Sequence, residues 1–178
     1  QSGDARVVNS VAVVGGGLMG AGIAVACMNA GLPVTIYEPS EAGVTAALDR
    51  IGAIYEAGVK RGKMSETKAT QALSKMTLTA KIDEIGKADL VVEAVPEDMD
   101  VKNDVLGMIA KHAKSGAIIA TNTTLGRGGL KSSHKGEAGG LSGAPLFDTS
   151  TRVLARLSTL TDIPLVGVGG IATAEHAY

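Results

Sequence analysis

Six residues near the start of the chain have the types and spacing of a phosphate-binding turn. The string GGGLMG, which begins at Gly15, fits the pattern G-x-G-x-x-G between an apolar strand and a helix. Gly15 permits a tight turn, Gly17 lets the main chain approach a pyrophosphate, and Gly20 lets the strand and the helix pack closely. The helix would begin at Leu18, and the backbone N–H groups of Leu18 and Met19 would donate hydrogen bonds to the phosphates. The motif therefore predicts a dinucleotide site.

An acid follows where this pattern needs one. Glu38 ends the second predicted strand, eighteen residues after Gly20, and can accept hydrogen bonds from both hydroxyls of an adenosine ribose. Its charge would repel a 2′-phosphate and the next three residues include no arginine, so we expect NAD rather than NADP. The alternative is that the glycines only make turns and that Glu38 is a solvated acid at a strand end.

The amino-acid composition limits the classes of protein to which this chain can belong. A chain of 178 residues with 45% hydrophobic content can bury one core, which predicts a single domain over residues 1–178. Lys and Arg (17) balance Asp and Glu (18), and three Tyr, one Phe and no Trp give no stacking surface, so we expect no nucleic-acid partner. No run reaches the roughly 20 apolar residues of a membrane helix. The single cysteine fits a reducing compartment, and we expect the cytoplasm.

Strand and helix patterns alternate along the chain. Strands are predicted at residues 11–14, 34–37, 76–79, 90–95, 117–121 and 164–168. Helices are predicted at residues 18–29, 40–58, 65–74, 99–113 and 149–161. The first long helix has Ser40 as its predicted N-cap, and its apolar stripe comprises Ala42, Val44, Ala47, Leu48, Ile51 and Ile54.

This alternation predicts a fold of the α/β class. We expect a Rossmann-like three-layer αβα arrangement around a six-stranded parallel sheet of order 3-2-1-4-5-6. Residues 126–146 follow neither period, and a loop of that length in a compact domain is functional, mobile or a sign of a misassigned element.

Residues 11 to about 125 resemble the NAD-binding domain of 3-hydroxyacyl-CoA dehydrogenases. The resemblance rests on "VAVVGGGLMGAGIA", "VTIYEPS", "KRGKMSE", "ADLVVEAVPEDMDVK" and "GAIIATNTT", in the family's order. It implies that Glu97 and Lys102 line the nicotinamide-ribose side of the crevice and that Asn122 and Thr124 lie near the nicotinamide. The family usually has Ser at the position of Thr124. Without the family, Glu97 and Lys102 could be a solvated pair at a helix start.

The same resemblance extends to the substrate and to catalysis. It implies that Lys60, Arg61 and Lys63 meet the phosphates of CoA, although these residues could equally be a charge run at a helix end. After residue 125 the family continues with a catalytic His in an "HFFNP"-like context and a Glu partner, and neither follows here. We therefore assign no catalytic residue and expect no turnover.

The remaining candidate ligands are interpreted as structural. The three histidines, at positions 112, 134 and 176, show no metal-ligand spacing, so no metal site is predicted. Cys27 is expected in the core, on the helix face that packs against the sheet.

The segment from about residue 122 to 178 resembles dihydroorotate dehydrogenase, a flavin enzyme. The strings "TNTTLGRGGLKSSHKGEAGGLSGAPLFDTSTRVLARL" and "IPLVGVGGIATAEHAY" look like the late part of its βα barrel. This resemblance implies orotate contacts at Asn122 and Thr123, a flavin contact at Thr121, and backbone donors to FMN at Gly143 and Gly170. The string "IIATNTT" suits the end of a parallel strand in both families.

Three functional hypotheses follow. The preferred one is an engineered or recombined chimera that keeps at most NAD(H) binding. A flavin module that binds FMN through the second segment is less favoured, because only the late part of the barrel is represented. The third is a scaffold that binds no ligand because residues 126–146 cover the crevice. In each case, apolar surfaces left by the lost parental domains could drive homodimerisation.

Overall fold

The computed structural model of the chain describes residues 7–96, 98–120, 147–159 and 173. Five strands lie in this part of the chain: β1 (Val11–Val14), β2 (Val34–Tyr37), β3 (Met76–Thr79), β4 (Leu90–Glu93) and β5 (Ile118–Ala120). The helices are α1 (Leu18–Asn29), α2 (Glu41–Lys60), α3 (Glu66–Leu73), α4 (Met99–His112) and α5 (Phe147–Ser158), with a 3₁₀ segment at Ile82–Lys87. Strands and helices alternate as the sequence predicts.

The strands form one parallel sheet of order β3-β2-β1-β4-β5. The register places Val14 beside Tyr37 of β2 and beside Glu93 of β4, so these three strands end at the same level. The direction of strand order reverses between β1 and β4, which is where open α/β sheets form their ligand crevice. The Rossmann-like parallel fold is thereby confirmed, whereas a sixth strand is not, because residues 164–168 lie outside the described residues.

Each face of the sheet carries its own apolar layer. On one face α1, α2 and α3 bury a cluster that contains Val11, Val13, Ala21, Ala24, Met28, Val34, Ile36, Ile51, Tyr55, Ala69 and Ala72. On the other, α4 and the 3₁₀ segment bury Ala12, Val14, Tyr37, Ile85, Ala88, Val91, Val105, Leu106 and Ile109. Alternate residues of β1 therefore enter opposite layers, as expected of a strand buried on both faces. α5 lies against α4.

Long helix α2 differs from its prediction in the residues it buries. Ser40 caps the helix as predicted, accepting the Gly43 N–H at 3.1 Å. The buried face runs through Ala47, Ile51 and Tyr55, at intervals of four residues. Leu48 and Ile54 of the predicted stripe are exposed instead. The Tyr55 hydroxyl donates to Asn29 Oδ1 at 3.1 Å, and burial raises the pKa of this phenol.

Several predicted ends also need correction. β4 was expected to continue to Val95 but ends at Glu93, because the Val95 N–H donates to the Glu93 carboxylate instead of continuing the ladder. β5 begins at Ile118 rather than Ala117, since Ala117 N–H closes a turn onto the Lys114 carbonyl. α4 stops one residue early at His112, and α5 starts two residues early, at Phe147. The 3₁₀ segment had no counterpart in the prediction.

No helix in the described part of the chain has both the length and the apolar character needed to span a membrane.

An acidic clasp ties the amino ends of the strands together. Asp89 precedes β4, and its Oδ2 accepts the Asn9 N–H at 2.8 Å and the Ser10 hydroxyl at 3.1 Å. Its Oδ1 contacts the Lys114 ammonium, which precedes β5. Lys114 first, and then Asn9 and Ser10, lower the pKa of Asp89 to about 2. One carboxylate thus links the segments that enter β1, β4 and β5.

We predict that this clasp weakens in acid. A carboxyl group whose pKa is lower in the folded state than in the unfolded state stabilises the fold above its unfolded pKa, and that contribution disappears as pH falls from about 4 towards 2. Asp89→Asn should therefore lower the melting temperature at pH 7 and lose less on acidification than the unmodified chain. Asp49→Asn, on an exposed position of α2, is the control. Equal acid sensitivity of both variants and the unmodified chain would contradict the assignment.

Candidate dinucleotide-binding site

The turn after β1 depends on glycine at position 15. Gly15 has a φ of +102°, which side-chain-bearing residues rarely adopt, and a Cβ there would lie 2.7 Å from the Ala94 carbonyl oxygen. Its N–H donates to the Tyr37 carbonyl at 2.9 Å, and the Ala94 N–H donates to the Val14 carbonyl at 2.8 Å. The turn is therefore fixed between the carboxyl ends of β2 and β4.

The start of α1 packs against this turn without space for a side chain. A Cβ on Gly20 would fall 1.8 Å from the Gly15 carbonyl oxygen and 3.2 Å from Val13 Cγ1. Position 20 thus has the close helix-to-strand packing that the motif predicts for it.

Position 17 is the opposite case, since it faces open space. Among the described residues, no heavy atom comes within 4 Å of a Cβ built on Gly17, which is the N-cap of α1 in an extended conformation. No side chain of the residues that the structure describes caps the helix, and its first turn carries no acid. The Leu18 side chain next to it is 85% exposed. In the described part of the chain, the main chain at Gly17, at the positive end of α1, is consequently open to a ligand from outside.

Glu38 lies beside the turn at the end of β2. Its Oε1 accepts the Gly16 N–H at 2.5 Å, and a Cβ on Gly43 would lie only 2.8 Å from its Oε2. Gly16 is itself buried, and a Cβ there would meet Ala47 Cβ at 2.5 Å. Glu38 is half-buried and bonded to the glycine turn, so it is not the fully solvated acid of the alternative interpretation.

Arg50 reaches the same glycine from α2, a contact that the sequence did not predict. Its Nη1 donates to the Gly16 carbonyl at 2.7 Å. The residue is placed there by helix geometry, because Arg50 is three residues after Ala47, which touches Gly16. Residues 39–41 contain no arginine, as the sequence analysis states, but Arg50 on the following helix bonds the same glycine as Glu38. Gly16 is thus held by a carboxylate at its N–H and by a guanidinium at its carbonyl.

A buried ion pair lies on the β4 side of the crevice. Lys102 Nζ is 3.5 Å from Glu93 Oε2, and the two side chains are 7% and 0% exposed. Glu93 Oε1 accepts the Val95 N–H at 2.8 Å, which shapes the segment leading to α4. Lys102 is therefore not a solvated residue at a helix start. Glu93 was missed by the sequence prediction, although an acid within the apolar string LVVEAV was a usable signal, because buried carboxylates need a partner.

Other predicted site residues are separated from this region or are not described. Glu97, Asn122, Thr124, Gly143 and Gly170 lie outside the described residues, as do Thr121, Thr123, His134 and His176. Lys60, Arg61 and Lys63 are exposed at the end of α2. His112 Nδ1 lies 2.7 Å from Asp83 Oδ1, far along the chain from the glycine turn. Cys27 is half-buried against the apolar layer beneath α1, α2 and α3, and burial raises the pKa of its thiol.

Comparison with known proteins identifies the family of the first two thirds of the chain. Residues 10–127 match the sequence profile of the 3-hydroxyacyl-CoA dehydrogenase NAD-binding domain. The chain belongs to this family. Over 118 residues it is 37% identical to the 3-hydroxybutyryl-CoA dehydrogenase of Mycobacterium tuberculosis, covering 66% of this chain and 41% of that protein.

Solved structures agree on the fold. The crystal structure of M. tuberculosis FadB2 superposes with a TM-score of 0.65 at 37% identity, covering 66% of this chain and 42% of that one. The (S)-3-hydroxybutyryl-CoA dehydrogenase PaaH1 of Ralstonia eutropha gives a TM-score of 0.66 at 25% identity, over 88% of this chain and 46% of that one. The matched part of the chain thus spans less than half of each of these proteins.

A second family matches as well. The chain is 53% identical over 89 residues to the quinone-dependent dihydroorotate dehydrogenase of Cereibacter sphaeroides, covering 49% of this chain and 25% of that protein. The shares of the chain matched by the two families, 66% and 49%, exceed the whole chain, so the matches share residues. The chain therefore combines sequence of both families, and some of its residues suit both.

We predict opposite effects of alanine at two glycines of the motif. Gly20→Ala places a methyl group into the Gly15 carbonyl and should lower the free energy of unfolding by about 3 kcal/mol or more, or prevent folding. Gly17→Ala enters open space with a compatible backbone and should change it by less than about 0.5 kcal/mol. Urea unfolding followed by circular dichroism measures both. Equal stability of the two variants would show that α1 does not pack as described.

A second prediction concerns the buried pair. Lys102→Met removes the cation of this pair from the buried Glu93 carboxylate and should cost about 3–5 kcal/mol, as should Glu93→Leu, which removes the anion from the buried ammonium. The double variant should cost much less than the sum of the two, because neither charge is then left alone. A double-mutant cycle from urea unfolding gives this coupling. Additive costs would contradict a direct interaction between the side chains.

Proposed function

We propose that this chain is a dinucleotide-binding unit that takes NAD(H) at the carboxyl edge of its sheet. The observation that carries the proposal is the open main chain at Gly17, at a helix start without a side-chain cap, next to an acid held in place at the end of β2. A helix start of this kind is a site for an anion, and the acid supplies the acceptor that a ribose requires. Membership of the NAD-binding family supports the same cofactor.

The residues fit the adenosine half of the cofactor. The pyrophosphate would cross Gly17 and meet the N–H groups at the start of α1, including those of Leu18 and Met19. A bulky group at position 17 is absent, so the backbone can be approached to hydrogen-bond distance. Glu38 Oε1 already accepts the Gly16 N–H, which leaves Oε2 as the oxygen that we assign to the ribose hydroxyls.

The nicotinamide half of the cofactor lies at the carboxyl ends of β1 and β4, where the direction of strand order reverses. The register pairs Val14 with Glu93, so the Glu93–Lys102 pair is beside the end of β1. We assign Lys102, together with Glu97, Asn122 and Thr124, to the nicotinamide side by the family resemblance. The buried pair supports this assignment, because it fixes the lysine at the correct edge of the sheet.

Cofactor binding is proposed without turnover. The sequence after residue 125 carries neither the family's His context nor its Glu partner. Hydride transfer to or from a 3-hydroxyacyl group needs a positioned acid or base, which commonly contributes about 10²–10⁴ in rate. We infer an engineered or recombined chimera of the two families that retains at most NAD(H) binding, and we propose that apolar surfaces left by the lost parental domains favour a homodimer.

A flavin function is the second candidate, and the dihydroorotate dehydrogenase match favours it. Gly143 and Gly170 would then donate backbone N–H groups to the phosphate of FMN. It ranks below NAD(H) because that match covers only 25% of the flavin enzyme. A purified protein that is yellow and binds FMN but not NADH would replace the first proposal by this one.

The proposal predicts saturable NADH binding that depends on position 17. Nicotinamide fluorescence should increase on titration, and Gly17→Ala should weaken binding by about tenfold or more, because the methyl group stands where the pyrophosphate must approach. Gly22→Ala is the control, since it adds a methyl group into open space on the same helix. Equal affinity of the two variants, or no binding by the unmodified chain, would reject the site.

Absence of turnover is tested separately. With acetoacetyl-CoA and NADH, we expect no oxidation of NADH above the rate without protein. Rates of about 1 s⁻¹ or more, which are ordinary for enzymes, would contradict the proposal that the chain lacks a complete dehydrogenase active site.

A further inference from the structure

We propose that Arg50 is a specificity-determining residue for the adenosine end of the cofactor, and that it is the group which would bind a 2′-phosphate once the charge of Glu38 is removed. The inference rests on the proposed NAD(H) function and extends it to a residue on α2.

The first step is the position of the guanidinium. Arg50 Nη1 donates to the Gly16 carbonyl at 2.7 Å, while Glu38 Oε1 accepts the N–H of the same glycine at 2.5 Å. A cation and an anion are therefore fixed on the two polar groups of one residue. Gly16 immediately precedes the open Gly17, so both charges border the surface on which a dinucleotide would lie.

The second step is the set of partners that Arg50 has. Within the described residues its hydrogen bonds go to two backbone carbonyls, those of Gly16 at 2.7 Å and of Ala46 at 3.4 Å, both through Nη1. In the same part of the chain no carboxylate oxygen comes within ion-pair distance of it, Glu38 included. Arg50 is half-buried, and the fork-shaped donors of a guanidinium are well matched to a phosphate.

The third step is the balance between the two charges. Glu38 stands at the end of β2, where the ribose hydroxyls are expected, and repels a 2′-phosphate at that position. Arg50 attracts such a group but is restrained by the Gly16 carbonyl. In the unmodified chain the Glu38 carboxylate makes binding of NAD(H) more favourable than binding of NADP(H). With a neutral side chain at position 38, Arg50 is the dominant charge at this position. Glu38→Gln keeps an acceptor for the Gly16 N–H and therefore preserves the turn.

The test compares Kd values for NADH and NADPH, read by nicotinamide fluorescence, which the absence of Trp leaves without tryptophan background. Glu38→Gln should strengthen NADPH binding by about tenfold relative to NADH, in line with a hydrogen bond to a charged group. Adding Arg50→Gln should remove this gain, and adding Arg50→Lys should keep part of it. Adding Lys68→Gln, which neutralises an exposed lysine on α3, should leave it unchanged. A residue that only stabilised the turn would move both affinities together and leave their ratio constant.

The outcomes separate the two proposals. NADH binding by the unmodified chain, together with an NADPH gain that persists in Glu38→Gln/Arg50→Gln, would overturn the role of Arg50 alone. Loss of NADH binding in the unmodified chain would overturn the NAD(H) function and the role of Arg50 with it. Melting temperatures of all variants, measured without ligand, show that each is folded.

Discussion

The close approach of α1 to the turn after β1 is the constraint on which the site depends. With a Cβ-free residue at position 20, the Gly15 carbonyl can occupy space that any other residue would fill. Gly15 in turn approaches Ala94, so α1, β1 and β4 are fixed relative to one another through contacts that tolerate no side chain. Such backbone contacts have no side-chain rotamers that could adjust, so the geometry of this edge has little freedom. The opening at Gly17 exists because the residues on both sides of it are held so tightly.

Regular elements were predictable because their signals are local. β1, β2 and β3 are short β-branched runs bounded by turn residues, and their observed ends agree with the predicted ones. Where prediction failed, a side chain or a turn competed with the backbone ladder. The apolar string from Leu90 looked like a strand as far as Val95, yet the Glu93 carboxylate takes the Val95 N–H and ends it. The burial of Tyr55 in place of Ile54 depends on which face of α2 meets α1, and periodicity alone cannot choose between adjacent faces.

The residues of the candidate site also fall into those that the sequence predicted and those that it did not. The positions of the glycines and of Glu38 at one turn were predictable, since they follow from spacing along the chain. Arg50 and Glu93 were not, because each acts through a partner that only the fold supplies. Arg50 is 34 residues from Gly16, and the contact arises from the packing of α2 over the turn. Asp89 is a similar case, with Asn9 lying 80 residues away. The role of each of these charged residues depends on which elements become neighbours in the fold, and a single sequence does not specify that.

A chain with sequence from two families can keep one parallel sheet because both parents use the same unit. In the Rossmann-like fold and in a βα barrel, a parallel strand is followed by a helix that crosses back over the sheet with the same handedness. α5, in the segment that resembles the flavin enzyme, lies against α4 of the dehydrogenase-like part as one helix of such a layer lies against the next. The glycine turn, Glu38, Arg50 and the Glu93–Lys102 pair all precede β5. The groups assigned to the adenosine and pyrophosphate part of a dinucleotide therefore come from the chain before β5, whereas Asn122 and Thr124, assigned to the nicotinamide side, follow it. The geometry of the glycine turn consequently depends on contacts within the part of the chain before β5, and a different sequence beyond β5 leaves those contacts in place.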